Sequence, residues 1–368
     1  MSETKIGKFE AIALIVSILV NHLILNLPKG FIASTGSASS LNILFVTIIA
    51  LLFTLLIVKL LHKFPNLDIL DISKFLGGNL LKNMIGILFL LYFLFFSSTF
   101  LRNFSEDLKI IYLQQKPLIF ILAIFTLAII IVNKLGFKSM CKSNLIFMPL
   151  VLCSIFIIFI ANAQNFTPQG LLPVLGYGII PTFFSGISNL FAFSGIAFLY
   201  FLPPKVESKD FKKIAIISVI ISGTFLLLSI TSLLFLFPII ENTEDVMSLY
   251  IASRHISFGR FFQRLDAFFL LTWIISIVSY LSIVLSLSIH IFKKLTHIEH
   301  ETSMVYCFGF LMFCISLIPS SFAQLDFLEN TLFKYMVLGI VFVISFIVLL
   351  LAYMKYKRLH KKEGDVLV

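Results

Sequence analysis

The stretch from Leu171 to Pro204 reads LLPVLGYGIIPTFFSGISNLFAFSGIAFLYFLPP; it is apolar enough for a bilayer yet punctuated by Gly178, Pro181, Gly186, Ser194 and Gly195. A helix in lipid must satisfy its own backbone groups, and such residues are tolerated there only where neighbouring helices or water-lined cavities take over the freed donors and acceptors. The stretch therefore predicts a discontinuous transmembrane helix. A second interrupted segment runs from Glu10 to Ser34, broken around Asn21 to Gly30 (NHLILNLPKG). Two broken helices at corresponding places in two halves point to a transporter-type site near the membrane midplane.

Composition agrees. The chain has 59% hydrophobic and 12% charged residues and a mean hydropathy of +1.06, whereas a soluble globular domain carries about 25% charge. The net charge of +10 would suit a nucleic-acid partner, but cytoplasmic loops of membrane proteins produce the same excess. MSETKIGKFE is short and polar, and the apolar run after it is too long for an h-region and lacks an A-x-A-like site, so no cleavable signal peptide is expected. Cys141, Cys153, Cys307 and Cys314 show no C-x-x-C spacing and are expected as free thiols.

At about 20 apolar residues per crossing, ten spans are predicted. They run from Phe9 to Ser34 with its break, Leu41 to Leu61, Leu81 to Asn103, Pro117 to Val132, and Leu145 to Ala161. The broken stretch is the sixth, followed by Ile214 to Phe237, Leu265 to Phe292, Met304 to Ile318 and Leu332 to Tyr353. Five spans per half force the second half to enter from the opposite side. The expected architecture is an all-α polytopic membrane protein, a single transmembrane domain over 1–368 with halves at about 9–161 and 172–355. Between the second and third spans, FPNLDILDISKFLGGN places Ile69, Ile72, Phe75 and Leu76 on one side of a short helix and Asp68, Asp71 and Lys74 on the other, which predicts a helix along the membrane surface. With the N-terminus cytoplasmic, only Lys29, Arg102, Lys109, Lys116, Arg254, Arg260, Arg264 and Lys334 of the 28 Lys and Arg lie on the outer side. That asymmetry puts both termini inside and explains the basic balance without nucleic acid. The basic tail KYKRLHKK marks the same face and offers a contact to anionic lipid.

Several motifs in order resemble a known family. They are Phe64-Pro65 and Leu76-Gly77, then Leu171-Leu172-Pro173-Val174 with Gly178, Pro181 and Gly186, the FSG of Phe193 to Gly195 ending at Pro203, and RLDAFFLLTW from Arg264 to Trp273. Together they are similar to the B subunit of spore germinant receptors, the endospore germination permease group of the amino acid, polyamine and organocation transporter superfamily. The resemblance implies a LeuT-like 5+5 inverted repeat in the inner membrane of the spore, with an A subunit and a lipoprotein C subunit as partners and a small nutrient as ligand. Two positions depart from the superfamily pattern. Where members carry Gly-x-Gly in the first break, this chain has Asn21 to Asn26 (NHLILN), and a position often acidic in relatives is Ala197.

In such folds half-helix N-termini present unpaired N–H groups to an anionic ligand group. The candidates are Leu25, Asn26 and Leu27 in the first span and Phe193, Ser194 and Gly195 in the sixth, with Asn21 and Asn26 adding side-chain donors and acceptors. The alternative for the asparagines is a hydrogen bond to another helix across the bundle. On the eighth span Thr272, Ser276, Ser279 and Ser286 share a face at 100° per residue; the face lines a cavity or packs helices. Tyr92, Phe96 and Thr99 share a face of the third span that would cap a ligand, or simply pack.

Charged residues are expected at span ends. Arg102 and Glu106 are spaced i,i+4, Arg264 and Asp266 open the eighth span, and no carboxylate falls centrally in a predicted span. Catalytic motifs are absent. His297 to Glu301 (HIEHE) has HxxH rather than HExxH spacing, so neither an enzyme nor a metal or cofactor site is expected. The function expected is a nutrient-sensing membrane subunit that binds between the first, third, sixth and eighth spans; the alternative is a cation-coupled amino-acid permease of vegetative cells.

Overall fold

A computed structural model describes residues 5–24, 27–237, 248–254, 256, 265–298 and 300–365. Its regular structure is helical: α1 (Lys8–Ile24), α2 (Leu27–Thr35), α3 (Ser39–Leu61), α4 (Ile69–Ile111), α5 (Leu118–Lys134) and α6 (Phe137–Asn162) form the first half. The second half holds α7 (Ile180–Tyr200), α8 (Ser208–Leu236), a short α9 (Ser248–Arg254), α10 (Leu265–Thr296), α11 (Glu301–Ser316) and α12 (322–365). Among the described residues, seven helical stretches are long and apolar enough to cross a bilayer, with shorter apolar helices at Leu118–Lys134 and Glu301–Ser316.

The two halves are interlocked. α1 packs on α7, α3 on α8, α4 on α10 and α5 on α11, so each of the first four spans lies against the span five positions later. α1 is central, touching α6, α7, α8 and α10. Large apolar side chains not used in these contacts, such as Leu44, Ile48 and Leu52 on α3 and Ile124, Leu127 and Ile131 on α5, stay exposed. In water such stripes would be a liability; in lipid they are the solvent-facing surface.

The interruption of the sixth predicted span is visible; the first falls on Leu25 and Asn26, which lie outside the described residues between α1 and α2. α7 departs from α geometry along its length, with a π turn at Ile180–Phe184, 3-10 geometry over Ser185–Tyr200 and a non-helical Phe193 (φ −100°, ψ 23°). α12 carries two π turns of its own, Leu328–Phe333 and Leu338–Ile344. Such turns free backbone carbonyls, and here side chains take them up: Tyr200 Oη donates to Val341 O at 2.7 Å and Ser345 Oγ to Ile340 O at 2.7 Å.

The short helix expected before the third span forms the opening of α4, set off from the rest at Gly77 (φ −135°, ψ 22°) and Gly78 (φ +71°, ψ −163°), whose backbone is not helical; the Gly78 conformation favours glycine. One expectation is corrected. Asp68, assigned by periodicity to the solvated side, is fully buried. It caps α4 by accepting from Leu70 N (3.0 Å) and Asp71 N (3.1 Å) and holds Lys294 Nζ at 2.6 Å and His290 Nε2 at 3.4 Å. Burial alone would raise the Asp68 carboxyl, but the hydrogen bonds and positive charge of His290 and Lys294 outweigh it and hold the group below the ordinary carboxylate range. These contacts tie the loop before α4 to the end of α10. Lys355 of α12 donates to Phe75 O and Leu76 O, and Ile6 N donates to Lys205 O, so both chain ends lie at this same face.

Candidate ligand-binding site

The seam between α1 and α10 is polar at mid-helix. Asn21 is fully buried; its Nδ2 donates to Ser17 O at 2.7 Å and Ser17 Oγ at 3.3 Å, and its Oδ1 accepts from Ser276 Oγ at 2.9 Å. One turn away, Thr272 Oγ1 donates to Ser154 Oγ of α6 at 3.1 Å and to Phe269 O at 2.9 Å. The polar face read on the eighth span thus serves two neighbours, α1 and α6. Ser286, nearly three turns beyond Ser276, lines a cleft at the face of the chain ends. Leu25 and Asn26 lie outside the described residues, as do Arg264 and most of the Pro238 to Gln263 loop.

Tyr92 and Phe96 of α4 meet α7, α10 and α12. The Tyr92 hydroxyl and the Ser194 side chain share a hydrogen bond. Tyr92 and Phe96 stack with centroids 5.8 Å apart, and Phe333 of α12 lies over both, 5.9 Å from Tyr92 and 4.5 Å from Phe96. Tyr280 closes the edge at 6.0 Å from Phe96. Phe193 is fully buried. Gly195 faces α1: a Cβ there would come within 2.8 Å of Ile18 Cγ2 and 2.9 Å of Leu19 Cδ2. The structure therefore brings Tyr92, Phe96 and Ser194 together, places Asn21 with Ser276, and gives Gly195 the role of letting the two irregular helices touch.

Sequence reasoning missed the polar ring above this layer. Asn42 Nδ2 donates to Thr182 O (2.6 Å) and Gly186 O (3.2 Å); Asn189 Nδ2 donates to Asn42 Oδ1 (2.8 Å) and Ser34 Oγ (3.0 Å); Lys334 Nζ donates to Asn189 Oδ1 (3.2 Å). Lys334 and Glu329 both border a cavity of about 30 Å³ between α2, α7 and α12, room for about one water. Asn103 donates to Glu329. The anticipated Arg102–Glu106 pair forms at 2.9 Å, and Arg102 Nη1 also donates to Ser316 O at 3.1 Å. Asp107 lies four residues before α4 ends at Ile111, fully buried, with neither carboxylate oxygen hydrogen-bonded among the described residues. The signal in the sequence is a lone amide or ammonium within an apolar stretch, as at Asn42, Asn189 and Lys334.

The geometry has parallels. A family model described as Spore germination protein matches residues 5–324. Spore germination protein KB of Bacillus subtilis (strain 168) is 24% identical over 309 residues, covering 82% of this chain and 83% of that protein. Spore germination protein A2 of the same organism is 23% identical over 327 residues, covering 87% of this chain and 88% of that protein. Among solved structures, MhsT in complex with L-phenylalanine superposes with a TM-score of 0.69 at 12% identity, covering 96% of this chain and 99% of that one. A substrate-bound, outward-open Na+-coupled sialic acid symporter superposes with a TM-score of 0.67 at 12% identity, covering 93% of this chain and 80% of that one. At such identity the likeness establishes the fold alone, and the fold is the LeuT-like one expected.

Proposed function

The chain belongs to the spore germination protein family, and from that premise we propose that it is the membrane-spanning subunit of a nutrient-germinant receptor that crosses the membrane ten times. It binds a small, amino-acid-like nutrient where α1, α4, α7 and α10 converge. It works in the inner membrane of the spore with both termini in the cytoplasm, alongside an A subunit and a lipoprotein C subunit. The observation that carries the reading is the Tyr92–Ser194 contact set under the Phe333 stack. It joins the irregular helix to a layer of aromatic rings that a guest would have to part.

A guest entering beneath Phe333 pushes α12 away from α4. α12 can respond, because its second π turn leaves carbonyls held by side chains. Its far end grips the opening turns of α4 through Lys355, so displacement at the nutrient reaches the face where the chain ends lie. In this reading the nutrient shifts a two-state equilibrium by its differential affinity. Thermal melts of the purified protein against a panel of amino acids and nucleosides test it: one or more should raise Tm, and a flat response across the panel would remove the ligand-binding role. Deletion of the gene should blunt germination toward that same nutrient.

One observation favours a second reading, a cation-coupled permease. A buried carboxylate without a hydrogen bond needs a neutralising partner, a proton or a small cation, and Asp107 is such a group. Gradient-driven accumulation of labelled nutrient in proteoliposomes would favour the permease; binding without accumulation favours the receptor.

A further inference from the structure

At the face that carries the chain ends, a cleft of about 900 Å³ opens between the loop helix at the start of α4, the α5–α6 turn, and the junction of α10 with α11. That is the size of a small-molecule site. Its walls carry six lysines, Lys74, Lys82, Lys134, Lys205, Lys293 and Lys294, and two carboxylates, Asp71 and Glu301. Both carboxylates are already committed, Asp71 to Lys294 at 2.7 Å and Glu301 to Lys293 at 3.4 Å. Lys134 Nζ reaches only a hydroxyl, donating to Tyr306 Oη at 2.8 Å.

Lys82 separates this cleft from an ordinary basic loop. Lysines on cytoplasmic loops are solvated, whereas Lys82 is 6% exposed. Its ammonium donates to the Lys294 carbonyl and has no ion pair among the described residues. A buried ammonium satisfied only by a carbonyl dipole still lacks a counter-charge, and low-dielectric walls lined by one sign of charge concentrate ions of the other. His290 and His297 add ring nitrogens to the same walls.

We propose that this cleft is an anion site for a phosphate-bearing molecule, separate from the nutrient site and independent of the function proposed above. The phosphate sits between Lys82, Lys74 and Lys134. Lysine suits it as a compact point charge with several donors. The source is either a free phosphate compound or the headgroup of an anionic phospholipid.

The test is a thermal melt of the full chain in nanodiscs, with three proteins: wild type, Lys82→Gln, and the double variant Lys74→Gln with Lys134→Gln. The double variant guards against misfolding of Lys82→Gln, since both of its positions are exposed. In phosphatidylcholine discs, inorganic phosphate is compared with chloride at matched ionic strength; separately, phosphatidylglycerol replaces part of the phosphatidylcholine. An upward Tm shift with phosphate that the double variant loses supports the site with a free ligand. A shift with phosphatidylglycerol alone, also lost in the double variant, supports it with a lipid headgroup. No shift beyond chloride in either arm, or a shift the double variant keeps in full, overturns it. Nutrient-induced melts on the same samples report the other site, so either proposal can fail without the other.

Discussion

Ser276 and Asn21, 255 residues apart, are joined by a 2.9 Å hydrogen bond in which the serine hydroxyl donates to the asparagine carbonyl oxygen. Asn21 sits beside the break in the first span, and its amide is held by Ser17 a turn earlier. The bond therefore fixes the last turn of α1 against the scaffold formed by α10.

Ser276→Ala should leave Asn21 Oδ1 buried without its donor and lower stability by about 1 kcal/mol, within the range found for interhelical hydrogen bonds in membranes. The double variant Asn21→Leu with Ser276→Ala, which removes both partners, should cost less than the two single losses added together. Melts of the single and double variants decide it; a Ser276→Ala protein as stable as wild type would mean the bond does not persist.

Glycines on α7 should differ in tolerance. A Cβ at Gly195 meets the mobile ends of Ile18 and Leu19, at 2.8 and 2.9 Å, while one at Gly186 meets the Pro181 carbonyl at 2.7 Å and Asn42 Nδ2 at 2.3 Å. Gly195→Ala should cost about 1–3 kcal/mol as ordinary overpacking. Gly186→Ala, facing backbone, should cost more, and Gly195→Leu should abolish the nutrient response. Relative Tm and a germination assay check the order, and a normal response from Gly195→Leu would take that contact out of the mechanism.

Phe333 bridges α12 to Tyr92 and Phe96. Phe333→Ala should lower stability by about 3–5 kcal/mol, as large-to-small changes in packed cores do, and should weaken the dependence of germination on nutrient because the rings no longer hold α12. If the variant keeps full nutrient dependence, the stack is packing and not a latch.

The Asp68 carboxyl is held below its unfolded value by His290 and Lys294 against the opposing effect of burial. A group with a depressed native pKa contributes stability that is complete above its unfolded pKa, about 3.9 for Asp, and that fades as pH falls below it. Wild type should therefore lose Tm as pH falls from about 4 to about 2, and Asp68→Asn should be less stable at neutral pH and lose less over that window. Equal pH slopes in the two proteins would show that the cluster does not control acid stability.

Asp107→Asn is close to isosteric and should leave Tm near that of wild type, since among the described residues neither oxygen has a hydrogen bond to lose. In proteoliposomes it should abolish any gradient-driven uptake. Uptake unchanged in the variant would remove Asp107 from ion coupling.

Hydropathy and local backbone chemistry alone make a multi-pass membrane protein with an irregular helix after Gly178 legible, because these depend on local transfer free energy and on residues such as Gly178 and Pro181 that act on their own backbone. Partnerships escaped that reading. Asp68 looked solvated from its period, yet it is buried because α10 returns to it with Lys294 and His290 from more than two hundred positions away. Among 43 phenylalanines nothing distinguishes Phe333 until α12 is laid against α4. Asn42 and Asn189 are two unremarked amides until α3 meets α7. One-dimensional patterns report what each segment prefers as its solvent. Which side chains face one another across the bundle follows from packing all the helices at once, and no window along the chain contains that information.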